Sequence, residues 1–197
     1  ICHSNLGVKI HDAKDPAEHL GPMFRQVVWT IFFLMERYES FWKGVRGSEQ
    51  VEVFGYEGGE EPEPVKIDLE GMIQHFKIGF QQFSSLWKEI FSEASFSAIQ
   101  AAAQQESKAF HLPIDAWVRI LYELAATFHS WTVNRNKLVD LVTPLYYARV
   151  ASFVVQSWEM SSQEANALVE EQAFEFEEHK DYLMKVWDEK SKLQVTV

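Results

Sequence analysis

The sequence predicts a mainly α fold of about six helices, entered from a single β-strand at the N-terminus. Three observations carry that expectation. Apolar residues recur at three- and four-residue spacing along most of the 197 residues, the pattern of helices with one buried face. Helix-start signals recur along the chain at Asp15-Pro16, Asp68, Pro113 and Ser161-x-x-Glu164. Leu6, Val8 and Ile10, alternating with Gly7 and Lys9, follow the two-residue period of a strand.

Taken in order, residues 1–10 form that strand. Asp15 as N-cap and Pro16 at the first position open a helix. Gly21-Pro22 then interrupts its first turn, so the main helix is expected from Pro22 to about Val45, ended by Gly44 and Gly47. Val27, Val28, Ile31, Leu34, Met35, Tyr38, Phe41 and Trp42 give it a broad buried face. Residues 47–66 change character: Val51–Tyr56 reads as a short extended piece and Gly58–Pro64 as an acidic Pro/Gly loop.

Asp68 caps a helix to about Phe91, and a shorter one covers about Ser95 to Ser107. Pro113 begins another to about His129, followed by a turn at Ser130–Asn134. The helix from Asn136 to about Trp158 should kink or split near Val142, because Pro144 has no N–H for the ladder. Ser161 and Glu164 form a capping box that starts a final long helix to about Trp187 or beyond. Ser191–Val197 is expected to be a frayed tail.

Hydrophobic residues make up 47% of the chain and aromatics 14%, enough to fill a core. The net charge of −11 disfavours a general nucleic-acid or anionic-membrane binder, since both need basic surface. It leaves room for a small anion held by a few local cations. The single cysteine, Cys2, allows no internal disulfide and fits a reducing, cytoplasmic setting. The apolar stretch Val27–Met35 is too short to span a bilayer, so a soluble protein is expected. The first residue is Ile and the first strand begins without partner strands downstream, which reads as the C-terminal piece of a larger protein.

Chemistry concentrates at the end of that strand, in His11, Asp12, Lys14 and Asp15. Such a cluster between a strand and a helix is where α/β enzymes place active groups. Neutral imidazole at His11 is a ligand for a divalent metal, with a neighbouring carboxylate to orient it or complete the shell. Lys14 suits a phosphate. A plain structural turn fits the same residues. An HD-type phosphohydrolase would need His and Asp ligands gathered from several helices, and no second cluster has that spacing. A di-iron bundle needs Glu-x-x-His repeated on two helices. Position 176, three before His179, is Phe, so the acidic last helix reads as a solvated face. Tyr146–Phe153 combines hydroxyls, small residues and Arg149 on one helix; Ala148, Ala151 and Ser152 permit close packing. Arg149 must find a buried carboxylate, helix-end carbonyls or an anionic ligand.

Several runs resemble a family. Gly7–Pro16 and Leu20–Val27 are similar to the end of the catalytic domain in glycosyltransferases of the glucosylglycerate synthase kind, relatives of the glucosyl-3-phosphoglycerate and mannosylglycerate synthases. Leu141–Phe153 and Glu170–Glu177 resemble the helical C-terminal region of those enzymes, so the resemblance spans nearly the whole chain. It implies a GT-A nucleotide-sugar domain followed by a helical extension, with residues 1–15 as the last strand and metal-site loop and 16–190 as the helical domain. The reaction implied is transfer of a hexose from a nucleotide-diphosphate sugar to glycerate or 3-phosphoglycerate, with retention. His11 would complete the shell of Mg²⁺ or Mn²⁺ on the donor diphosphate, with Asp12 and Lys14 beside it and Arg149 as a further substrate-binding candidate. The acidic donor motif and the nucleotide-binding strands are not in this sequence, so this segment alone is expected to be inactive and to hold metal poorly. A reading of a different class is a helical interaction or oligomerisation module without chemistry. It would expose apolar surface on its helices, and the many aromatics make homo-oligomers plausible.

Overall fold

The computed structural model describes residues 3–5, 16–47, 52–55, 67–131 and 134–194. Among them are eight α-helices, one 3₁₀ turn and two very short strands, so the fold is mainly α. Strand β1 (His3–Asn5) pairs in parallel with β2 (Val53–Gly55), with His3 opposite Val53. The first strand therefore has a partner within the chain, contrary to the expectation that none lies downstream. The Val-Glu-Val-Phe alternation just past Gly47 supplies it.

Helix α1 runs from Pro16 to Arg37, with Pro22 inside it. The expected interruption at Gly21-Pro22 is absent because Gly21 is a contact point with a later helix. A β-carbon at Gly21 would stand 3.1 Å from Thr143 Cγ2 and 3.3 Å from the Tyr147 hydroxyl. That close approach holds the first turns in place and outweighs the one ladder bond that proline removes. The expected run to Val45 breaks instead at Tyr38, and α2 covers Glu39–Gly44. There the Trp42 indole donates to the Met35 carbonyl at 2.8 Å, taking an acceptor of the α1 ladder. The same ring meets Trp187 edge-on at 5.3 Å. A side chain inserted into the ladder is an ordinary cause of a sharp bend.

Helix α3 (Leu69–Ile90) starts where Asp68 accepts from the Gly71 N–H. Ser92 caps α4 (Glu93–Ala103) by accepting from the Ser95 N–H, and a 3₁₀ turn follows at Ser107–Ala109. Helix α5 spans Ile114–Ser130 and α6 spans Arg135–Ser157. The kink or split expected at Pro144 does not divide α6. Trp87 donates its indole N–H to the Leu141 carbonyl at 3.1 Å, and Gly79 of α3 lies directly against the proline ring. The crossing partner thus packs on the proline ring and ties down the Leu141 carbonyl, next to the Asp140 carbonyl whose ladder bond the proline removes.

The capping box at Ser161 and Glu164 opens α7 (Ser162–Glu178) as expected. The last helix is again two: α8 covers Lys180–Gln194. At the break, Lys180 donates to the carbonyls of Trp42 and Val45 at the end of α2. Residues 191–194 are helical rather than frayed, since Trp187 is fully buried and Lys190 donates to Ile90 O at 3.1 Å and Thr127 Oγ1 at 2.6 Å. These two breaks account for eight helices where about six were expected.

The core lies where α5 packs along α8 and α3 packs along α6, with α1 against α6 and α5. Trp87, Trp187, Phe76, Phe110 and Phe128 are its largest fully buried side chains. By length and composition α6 could cross a bilayer; in this fold it is a core helix with most of its apolar span buried.

Candidate functional site

The first candidate grows from a clamp between α6 and the short segment before α5. Phe110 and Leu112 are buried there, so the backbone between the 3₁₀ turn and Pro113 needs partners away from water. Helix α6 supplies them for Leu112. Its N–H donates to Ser152 Oγ at 2.6 Å, and its carbonyl accepts from the Arg149 guanidinium at 2.8 Å. The second terminal nitrogen of Arg149 donates to Gln172 Oε1 of α7 at 2.7 Å. Arg149 is only 5% exposed, and burial lowers its affinity for a proton. No carboxylate among the described residues pairs with it.

Fixing Gln172 Oε1 on the arginine aims the amide Nε2 elsewhere, and that nitrogen is buried without a hydrogen-bond partner. Both residues line a cavity of about 180 Å³ together with His111, Asp115, Gln156, Leu168, Glu171 and Glu175. Its chemistry is mixed: the Arg149 guanidinium and the Gln172 amide share its lining with the carboxylates of Asp115, Glu171 and Glu175. Burial pushes the Asp115 carboxyl up, but the Arg119 guanidinium at 2.8 Å outweighs this and holds it below the usual carboxylate range. The arrangement suits a small molecule that bears one carboxylate to meet Arg149 and Gln172 and hydroxyls to donate to the carboxylates.

The rest of the Tyr146–Phe153 run packs the bundle. Tyr146 stacks on Phe24 at 3.9 Å, Tyr147 stacks on His75 at 5.0 Å, and Ala148 and Ala151 are fully buried. Of the residues read as a site from the sequence, Arg149 is thus in a pocket. His11, Asp12 and Lys14 lie outside the described residues. Among the described residues no group of three or more His, Cys, Asp or Glu side chains could hold a metal ion such as Mg²⁺ or Mn²⁺.

A second buried polar cluster escaped the sequence reading. Glu123 of α5 is 2% exposed. It accepts from the Ser92 N–H at 2.9 Å, Ser92 Oγ at 2.7 Å, Ser95 Oγ at 2.9 Å and the Tyr182 hydroxyl. The available signal was Ser-x-x-Ser at a helix start and a lone Glu on an otherwise apolar helix face. Three of these donors meet Oε1 and the Ser92 N–H meets Oε2, so the carboxylate is a buried tie between α4, α5 and α8.

No family model matches the chain, and no curated protein and no solved structure matches it either.

Proposed function

We propose that this chain is the helical C-terminal part of a metal-dependent, retaining glycosyltransferase that moves a hexose from a nucleotide-diphosphate sugar to a glycerate-type acceptor. One observation carries the reading. The Arg149 guanidinium, buried and without a carboxylate partner among the described residues, lines a cavity of about 180 Å³ beside the Gln172 amide nitrogen, which has no hydrogen-bond partner among them. Two of the runs that resemble such transferases, Leu141–Phe153 and Glu170–Glu177, lie on α6 and α7, the helices that build this cavity.

In this reading the acceptor carboxylate meets Arg149 and Gln172, and its hydroxyls donate to Asp115, Glu171 and Glu175. Those carboxylates disfavour a second anionic group, which ranks glycerate above 3-phosphoglycerate as the occupant. His11 is the proposed ligand of Mg²⁺ or Mn²⁺, with Asp12 and Lys14 beside the donor. The metal, when bound, supplies charge neutralisation at the leaving diphosphate. The nucleotide-sugar site belongs to a preceding GT-A domain.

The test is nucleotide release by the protein that carries both parts, given Mg²⁺, a panel of nucleotide sugars and either acceptor. Release that needs both metal and acceptor is expected. His11→Ala should abolish it while the helical part stays folded. Arg149→Lys should raise the acceptor KM with kcat largely kept. No release with any donor would overturn the proposal, and unchanged activity in His11→Ala would remove the metal role.

A further inference from the structure

Helix α1 buries one face, that of Phe24, Val28 and Phe32, yet it is apolar well beyond it. Met23, Val27, Ile31, Leu34 and Tyr38 recur at steps of four, four, three and four residues. At 100° per residue this places them in one narrow sector beside the buried face. Phe41 of α2 follows at a further three. All six are open to solvent, from 41% at Leu34 to 69% at Phe41. The sector holds no charged side chain: Arg25 points to Asp140 at 2.7 Å and Glu36 to Arg135 at 2.7 Å, both elsewhere on the helix. Steps of three and four are also the seam of two helices packed side by side.

We propose that this face is where two copies of the chain pair, α1 against α1, about a two-fold axis near Ile31. The area favours a second copy. The six side chains present on the order of 600 Å² of apolar surface, and with a rim of Gln26, Thr30 and Arg37 each copy approaches the roughly 800 Å² per partner of a standard interface. A self-complementary patch is what two-fold pairing needs. With the axis at Ile31, that residue meets its own copy, Val27 meets the partner's Leu34 and Met23 meets the partner's Tyr38. Charge gives the pairing a signature. Each copy carries a net −11, none of it on the seam, so the bodies repel while the faces attract. Salt screens the repulsion, with a Debye length of about 8 Å at physiological ionic strength, and leaves the apolar contact intact. The proposal does not depend on the transferase reading, whose carrying observation is the cavity on α6 and α7.

The test is sedimentation equilibrium of the 197-residue chain across a concentration series at low and high salt. A monomer–dimer equilibrium that tightens with salt is expected. Ile31→Glu, which places two like charges at the axis, should weaken it by about a hundredfold or more, with the helical circular dichroism of the dilute monomer kept because Ile31 is exposed. Phe41→Ser, outside α1, is the second variant and should weaken it by a smaller factor. Phe174→Glu on exposed α7 should leave it unchanged. A chain that is monomeric throughout, a dimer that loosens as salt rises, or a dimer that survives Ile31→Glu with the same dissociation constant would each overturn the proposal.

Discussion

Where α3 crosses α6, Gly79 faces Pro144, and this contact sets a sharp expectation for Gly79→Ala. A β-carbon at Gly79 would lie 2.3 Å from Pro144 Cβ and 2.5 Å from its Cγ. Ordinary carbon–carbon contact is about 3.5–4.0 Å, so the overlap exceeds an ångström. Neither atom can rotate away, because the ring is tied to the α6 backbone. The helices must separate, and Phe76 and Trp87, both fully buried on α3, lose contacts as they do. Overpacking of this kind costs about 1–3 kcal/mol, and rigid atoms put this site at the upper end. Alanine is the better helix former by about 1 kcal/mol, which leaves a net loss of about 2 kcal/mol. For a chain of this length that is a fall of about 4–8 °C in Tm. Thermal and urea denaturation of wild type, Gly79→Ala, Pro144→Gly and the double variant would check it. With Pro144 removed the added methyl has no clash, so Gly79→Ala should there be neutral or stabilising. An equal loss in both backgrounds, or no loss in the first, would refute the reasoning.

Glu123→Gln replaces an acceptor oxygen by an N–H₂ that faces donors from Ser92, Ser95 or Tyr182, and is expected to destabilise by about 1–3 kcal/mol in urea unfolding; an unchanged midpoint would show that the cluster is not a tie. Alkaline pH should also weaken the fold. Burial pushes the Tyr122 hydroxyl up to about 12 and raises Tyr146 and Tyr182 as well, the last also through its bond to Glu123. A raised folded-state value leaves stability whole below the unfolded value near 10 and removes it as pH climbs toward the folded one. Lys190, lowered by burial, works the opposite way only up to its ordinary value of 10.5. Between about pH 10.5 and 12 the urea midpoint should therefore fall, and Tyr122→Phe should lessen the fall; a midpoint flat across that window would contradict the assignment.

The fold class was legible because it depends on local periodicity. Asp68 and the Ser161–Glu164 box were legible as caps for the same reason, since the donors they meet are three residues away. The breaks at Tyr38 and His179 were not. The residues on either side read as continuous helix, and the break at Tyr38 goes with Trp42 taking the Met35 carbonyl while Lys180, just past His179, reaches α2. Pro22 and Pro144 misled in the other direction. A proline's local penalty is visible in sequence, whereas the neighbours that offset it, Thr143 and Tyr147 for one and Gly79 and Trp87 for the other, are far away along the chain.

For the site, the sequence determined that Arg149 sits among apolar and small residues and so must be paired. Only the tertiary structure decided what pairs it: a loop carbonyl 37 residues away and an amide 23 residues away, with no carboxylate. Glu123 shows the same division. Its charge is plain in the sequence, but its four donors come from the start of α4 and from α8, which meet α5 only in the folded chain. Periodicity and capping act over one or two turns and can be read along the chain. Burial and the partners of a buried charge are set by which distant elements touch, and packing decides that.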